Sequence, residues 1–299
     1  MIALVTALVP LVAAPGDVHA QAEIPSVYMQ GESFPVKLVY SADGADAKLE
    51  GWKLGPGAFD LDGKPLAERA AGSDVALPAG AKLTLELDLA PYLKASKSFS
   101  LGVAGAEPQA VTMLQLAPKE TKFLDLSPAD LAQYQVVMKT DQGDMVVEFY
   151  PNEAPNHVKN FLDLCATGFY EGTGFHRVSP TFMIQGGCPK TKTDDARAWG
   201  TGDGPRTLNS EFNKIHHARG ILSMARSQSP NSASSQFFVI TKDSGFLDNQ
   251  YSVFGKLVSG LDTLDKIANS KGKAGQDGTV KPDVLPRILK TYVVLAGKK

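Results

Sequence analysis

One permanent cation, one carboxamide and three large apolar side chains fall within ten residues of this chain: Arg177, Gln185 and, between them, Phe182, Met183 and Ile184. Gly174 ahead of them and Gly186-Gly187 behind them let backbone turn or approach closely. These types at this spacing make a small apolar cup with one polar prong, which binds a side chain and polarises the group beside it. The prong keeps its charge and offers several N–H donors in a fixed fork.

Other candidate chemistry is thinner. Cys165 and Cys188 are the two cysteines, 23 positions apart. Two such residues imply neither metal spacing nor a disulfide framework, so they read as buried free thiols, with pairing open. Gly200-Thr201-Gly202-Asp203-Gly204 looks like a phosphate cradle but has no strand before it and no helix after it; it reads as a mobile loop beside a groove. Asp194-Asp195 and Glu211 have no metal-binding partners in spacing. No metal and no cofactor are expected. Thirty basic against 32 acidic residues leave a net charge of -2, which gives no basic face for nucleic acid and no polybasic patch for a membrane surface.

Elements must bring the cup together. Val136 and Met138 lead through Asp141-Gln142-Gly143-Asp144 into Met145–Phe149, a hairpin with Gly143 at positive φ. Asn156 is placed to cap a helix whose Val158, Phe161, Leu162 and Cys165 share a face, and Gly168 stops it. A second helix runs near Leu261–Ala268, with Leu261, Leu264 and Ile267 inward. Strands are predicted around Met183, Leu222, Phe238 and Phe254 and over Ile288–Leu295. Two helices with about eight strands predict a closed sheet capped by helices.

In order, the blocks Phe175-His176-Arg177-Val178, Phe182 to Gly187, Gly220 to Ala225, Ser235 to Phe238, Phe246-Leu247-Asp248 and Val253 to Lys256 resemble the cyclophilin family of peptidyl-prolyl cis-trans isomerases. The resemblance runs from Tyr134 to about Leu295. It implies a mainly β fold, an eight-stranded antiparallel barrel closed by two helices, with a proline site on its outer face. Carried over by position, Arg177 and Gln185 are catalytic. Gln236 is a polar neighbour, while Phe182, Met183, Phe238 and Leu247 wall the proline pocket. Ala225 and Arg226 fall where the family binds peptide backbone before the proline. Phe246 stands where drug-sensitive members carry tryptophan, and Tyr251 where many carry histidine. Implied partners are proline-containing peptides and unfolded protein clients, met by a monomer that is not inserted in a membrane. A module that binds proline peptides without turning them over is the alternative.

The physics of that reaction suits the residues. Resonance gives an amide a rotation barrier of ~18–20 kcal/mol, and no bond need break to cross it. A donor aimed at the prolyl nitrogen, whose lone pair localises in the twisted state, weakens the resonance. No proton moves, so His176 and His217 read as structural or rim hydrogen-bonders.

The first 130 residues lie outside the resemblance. Ile2–Val12 is nearly continuous apolar chain, too short to span a bilayer, and Val18-His19-Ala20 resembles a cleavage site. Residues 1–20 are therefore expected to be a secretory signal peptide, and the protein an exported, periplasmic one. From 23 to 117, Phe34, Val36, Leu38 and Tyr40 alternate, as do Leu83, Leu85, Leu87 and Leu89. Turn signals at Ala42-Asp43-Gly44, Asp62-Gly63-Lys64-Pro65 and Pro78-Ala79-Gly80 space these runs for a small antiparallel, immunoglobulin-like β-sandwich with Trp52 in its core and an unnamed partner. Residues 118–133 read as a linker packed through Phe123 and Leu124, and 134–298 as the isomerase domain.

Overall fold

A computed structural model of the chain describes residues 109–275 and 280–296 without interruption. Before them it describes 9–14, 18–24, 27–29, 32–42, 47–49, 53–54, 59–61, 64–65, 69–70, 75–77, 79–90, 93 and 99–103. The chain divides into two compact units, Leu4–Gln115 and Leu116–Lys299.

In the first unit the two alternating runs pair with each other. Lys82–Asp88 lies antiparallel to Pro35–Ala42, setting Leu83 opposite Tyr40, Leu85 opposite Leu38 and Leu87 opposite Val36. Val18–Glu23 takes the other edge of Pro35–Ala42, and Val9–Ala14 pairs with Val18–Glu23. Phe34 and Val36 are buried, and Asp88 fixes the strand start by accepting the Phe34 N–H at 2.8 Å. Phe99–Val103 lies between Phe59–Leu61 and Gln109–Leu116. Gln109–Leu116 also takes Val27–Met29 as a parallel partner, a departure from the all-antiparallel expectation. Residues 1–8 and 15–17 of the predicted leader lie outside the described residues, as do Trp52 and the turn residues Asp43, Gly44, Asp62, Gly63 and Pro78.

The second unit opens with α1 (Pro128–Leu131), whose Ser127 and Asp130 form a reciprocal capping box. The stretch expected as linker sends Phe123 and Leu131 into this unit's core, while Leu124 stays exposed. There follow β1 (Tyr134–Thr140), β2 (Gly143–Phe149), α2 (Pro155–Ala166), β3 (Arg177–Val178), β4 (Met183–Gly186), β5 (Ile221–Met224), β6 (Phe237–Ile240), β7 (Val253–Ser259), α3 (Leu261–Ala268), β8 (Gly272–Ala274), β9 (Val280–Pro282) and β10 (Ile288–Leu295). Hydrogen-bonded order is β3-β4-β6-β5-β7-β2-β1-β10, every pair antiparallel. The hairpin β8–β9, which hangs on Val178 of β3, has Lys273, Lys281 and Pro282 where an apolar alternation would have announced it.

The predicted barrel is corrected at its seam, where no ladder closes the ring. Gly174 and Arg287 form an isolated bridge ahead of β3 and β10. Pro286 has no N–H, and the Arg287 N–H is spent on Asp141 Oδ1 at 3.1 Å, so no continuous ladder forms and the seam is held by single bonds such as Phe175 N–H to Pro286 O at 2.9 Å and Ile288 N–H to Thr173 O at 2.8 Å. Asn156 is also corrected. Pro155 takes the first helical position of α2, which puts Asn156 inside the first turn, and Ala154 offers no side-chain cap. Glu211 does that work from 55 residues away, accepting the N–H groups of Asn156 and His157, each at 3.0 Å. In α3, Leu264 and Ile267 are buried, but Leu261 at the overhanging first turn is 43% exposed.

The core is ordered around Phe161 of α2. Its ring meets Phe149, Tyr170, Phe237 and Phe254 at centroid separations of 5.8, 5.1, 5.4 and 5.2 Å. Phe161→Ala is expected to lower stability by ~3–5 kcal/mol, against under about 1 kcal/mol for Leu261→Ala. Chemical denaturation measures both, and equal costs would refute this account of the core.

Candidate functional site

A strand shows alternate side chains to opposite faces, and β4, β5 and β6 use both. Ile184, Leu222, Met224, Phe237 and Val239 point into the main core. Met183, Ile221, Phe238 and Ile240 form a separate apolar cluster with Leu247 and Val253, flanked by Phe182, Ala225 and Tyr251. On that second face the register puts Arg177 opposite Gln185, Gln185 opposite Phe238, and Phe238 opposite Ser223. Residues separated by up to 61 positions, Arg177 and Phe238, thus stand in one row.

Hydrogen bonds run along the polar end of the row. Arg177 Nη1 donates to Gln185 Oε1 at 3.3 Å, and Gln185 Nε2 donates to Gln236 Oε1 at 3.1 Å. Gln236 Nε2 then donates to the carbonyls of Gly200 and Gly202 at 3.0 and 2.9 Å. Carbonyls only accept, so they dictate which end of Gln236 faces them, and that choice sets Gln185 in turn. The guanidinium also lies over the Phe182 ring, 5.8 Å from its centroid. A fixed cation therefore borders an apolar cup.

Phe246 extends the cup outward, 66% exposed and tilted against Phe182 at 5.5 Å. Tyr251 stands edge-on to Phe238 at 5.5 Å. The Arg226 guanidinium lies over the Tyr251 ring at 4.8 Å and the Phe212 ring at 5.6 Å. Its guanidinium donates to the carbonyls of Gln250, Ser227 and Gln228, which makes it a wall. With Ala225, Gln185, Gln236 and the glycine loop it lines a polar cavity of about 300 Å³. The loop is tied by Gln236 and by Lys190 Nζ, which donates to Thr201 Oγ1 at 3.1 Å.

The structure brings Arg177, Gln185, Gln236, Phe182, Met183, Phe238, Leu247 and Phe246 to one side of the sheet, with Ala225, Arg226 and Tyr251 beside them. The acceptors Gly200 O and Gly202 O escape sequence reading because a backbone carbonyl leaves no signature in residue type. Cys165 and Cys188 are free and buried, and burial pushes the Cys165 thiol well up. Among the described residues no cluster of His, Cys, Asp or Glu could hold a metal ion, and no helix is long and apolar enough to cross a membrane.

His176, next to Arg177, is 7% exposed. Its Nδ1 has no hydrogen-bonding partner among the described residues. Burial, reinforced by the charges of Arg177 and Lys281, pushes its pKa down to about 4. The ring is neutral at pH 7.

The family model described as cyclophilin type peptidyl-prolyl cis-trans isomerase/CLD matches residues 135–293. A protein of Brucella abortus called a probable peptidyl-prolyl cis-trans isomerase is 46% identical over 154 residues, 50% of this chain and 78% of its own length. Peptidyl-prolyl cis-trans isomerase B of Escherichia coli is 39% identical over 162 residues, 50% of this chain and 94% of that protein. Among solved structures, a cyclophilin type peptidyl-prolyl cis-trans isomerase of Cryptosporidium parvum, crystallised in the presence of the dipeptide Ala-Pro, is 32% identical with a TM-score of 0.47, covering 55% of this chain and 99% of that one.

His176 makes stability depend on pH with a definite sign. Its folded pKa lies below the unfolded value, so its contribution is whole above about pH 6.5 and is lost as pH falls toward 4, by about 3 kcal/mol at pH 4. His176→Gln should flatten this part of the decline in denaturation curves taken at pH 7 and pH 4. The lowered carboxylates Glu211 and Asp248 remain in both proteins and cancel in the difference. Parallel declines would refute the assignment.

Proposed function

The chain belongs to the cyclophilin-type peptidyl-prolyl cis-trans isomerase family, and from that membership we propose how its own residues turn an X-Pro bond and which chains they serve. It is a peptidyl-prolyl cis-trans isomerase. The observation that carries the mechanism is the position of Arg177, held by Gln185 at the lip of the apolar cup.

In this mechanism the proline ring sits among Phe182, Met183, Phe238 and Leu247, with Phe246 as the outer rim. Anchoring the ring leaves the preceding carbonyl as the part that swings. As the bond twists, the nitrogen lone pair leaves conjugation and becomes an acceptor, and an Arg177 N–H donates to it. That hydrogen bond exists only in the twisted state, so it lowers the barrier instead of deepening the ground state. The low-dielectric cup strengthens it. An acceleration of about 10⁵ asks for ~7 kcal/mol, within reach of one charge-assisted hydrogen bond together with ring anchoring and backbone contacts. Gln185 and Gln236 hold the donor on line, since a long side chain left free loses orientation. Arg226, Ala225 and the 300 Å³ polar cavity receive the residues that precede the proline.

The substrates in this reading are proline-bearing segments of unfolded exported chains, met in the periplasm by a single-site monomer. The apolar run Ile2–Val12 followed by Val18-His19-Ala20 supports export. The first unit is assigned an immunoglobulin-like sandwich that recruits clients; the antiparallel pairs Pro35–Ala42 with Lys82–Asp88 and Phe99–Val103 with Gln109–Leu116, which lie beyond the leader, support the architecture.

Arg177→Ala is expected to lower kcat/KM on an X-Pro peptide by about 10²- to 10³-fold in a protease-coupled assay, with unchanged thermal stability. Wild-type rates in that variant would overturn the role given to Arg177. Export predicts a mature chain beginning at Gln21 in the periplasmic fraction, read by mass spectrometry of its N-terminal peptide. Recovery of the chain in the cytosol with its leader intact would refute export.

A further inference from the structure

Behind the cup lies a polar cluster, buried at His217 and Ser223 and open to solvent at His216, that bond rotation does not use. Asp248, the residue after Leu247, divides its carboxylate between two rings. Its Oδ1 takes His217 Nδ1 at 2.8 Å and the His217 N–H at 2.9 Å. Its Oδ2 takes His216 Nδ1 at 2.7 Å, and Asp243 holds the far side of that ring at 2.6 Å. The His217 ring is wholly buried, stacks on Phe238 at 6.2 Å with an interplanar angle of 13°, and meets Tyr251 edge-on at 6.4 Å. Its Nε2 lies 3.2 Å from Ser223 Oγ, and Ser223 is the cross-strand partner of Phe238.

Serine, histidine and aspartate in hydrogen-bonded order also describe a nucleophilic triad. Here Ser223 and His217 have no exposed surface, so no substrate reaches the hydroxyl. The hydroxyl also has a second acceptor, Ser252 O, at 3.1 Å. What remains is a strut.

We infer that His217, clamped between Asp248 and Ser223, is a positioning residue that holds Phe238 and Leu247 at the spacing that admits a proline ring. The flat stack gives Phe238 a rigid backing on one face. Asp248 closes the single turn Gly245–Leu247, so its bonds to His217 tether Leu247 through the chain. Burial lowers the pKa of His217, which keeps the ring neutral at pH 7, with Nδ1–H given to Asp248 and Nε2 turned to Ser223. Because the strut touches the walls and not Arg177, it governs capture of the proline and leaves the rate of rotation alone. This rests on the cup being the proline site.

The test is steady-state kinetics of the full chain on an X-Pro peptide, with kcat and KM resolved, for wild type, His217→Ala, Asp248→Ala, the double variant and Arg177→Ala. His217→Ala should raise KM about 10-fold and keep kcat within about two-fold, the size of effect a reshaped apolar pocket produces. The double variant should be no worse than the more severe single one, because the two act as a unit. Phe161→Ala, destabilised in the core, should leave KM unchanged, which separates positioning from general loosening. Should His217→Ala fail to fold, His217→Gln keeps a donor for Asp248 but loses the flat ring, and the same rise in KM is expected. An unchanged KM in the folded variant, or a fall in kcat matching the rise in KM, overturns the inference while the cup reading stands. Full turnover in Arg177→Ala overturns both together.

Discussion

The two-faced pleat of β4, β5 and β6 is the constraint on which the rest depends. A period of two sends Ile184, Leu222 and Phe237 one way and Met183, Ser223 and Phe238 the other, so one set of strands closes a core and builds a site with the same backbone. A one-residue slip in register would exchange the faces and put Gln185 in the core. The jammed side prevents this, because Phe161 and Phe237 meet edge to face at 5.4 Å with Tyr170 against both. The precision of the outer face is borrowed from the packing of the inner one.

Orientation of the cation then comes from backbone. Gly200 and Gly202 carbonyls point at Gln236, and the order of donors and acceptors is transmitted through two amides to Arg177. Fixed dipoles of this kind cost little reorganisation when charge shifts in the twisted state. Gly200 sits at φ +84, and a Cβ there would lie 3.1 Å from His176 Nε2. The positive φ and the close His176 ring therefore both favour glycine at the position whose carbonyl faces Gln236.

Much of this was legible beforehand, and the reasons are particular. Alternation and helical periodicity located β1, β2, β4 to β7, β10, α2 and α3, because each buries a stripe that composition reveals. Val36, Leu38 and Tyr40 announced their strand, and Leu83, Leu85 and Leu87 theirs, though nothing in either said that the other was its partner. The cup residues were legible as types in ordered blocks. What escaped depends on distance along the chain: Glu211 capping α2, the seam interrupted at Pro286, and the loop carbonyls behind Gln236. Such groups are chosen by the fold after it forms, so local pattern carries no trace of them. Leu261 shows the opposite error, a residue with the right period placed where the helix overhangs its support.

The distribution of charge follows from what the reaction needs. A proton donor or acceptor near the cup would tie the rate to pH without aiding a step in which no proton moves. Arg177 supplies a positive charge that does not titrate, and the histidine beside it is held neutral by burial. His217 is also driven toward neutrality, yet it sits 2.8 Å from a carboxylate that favours its cation, and burial outweighs the carboxylate. His216, exposed and gripped by Asp243 and Asp248, goes the other way and its pKa rises. The carboxylates thus favour charge on the solvent side of Asp248, and burial opposes it on the ring behind Phe238.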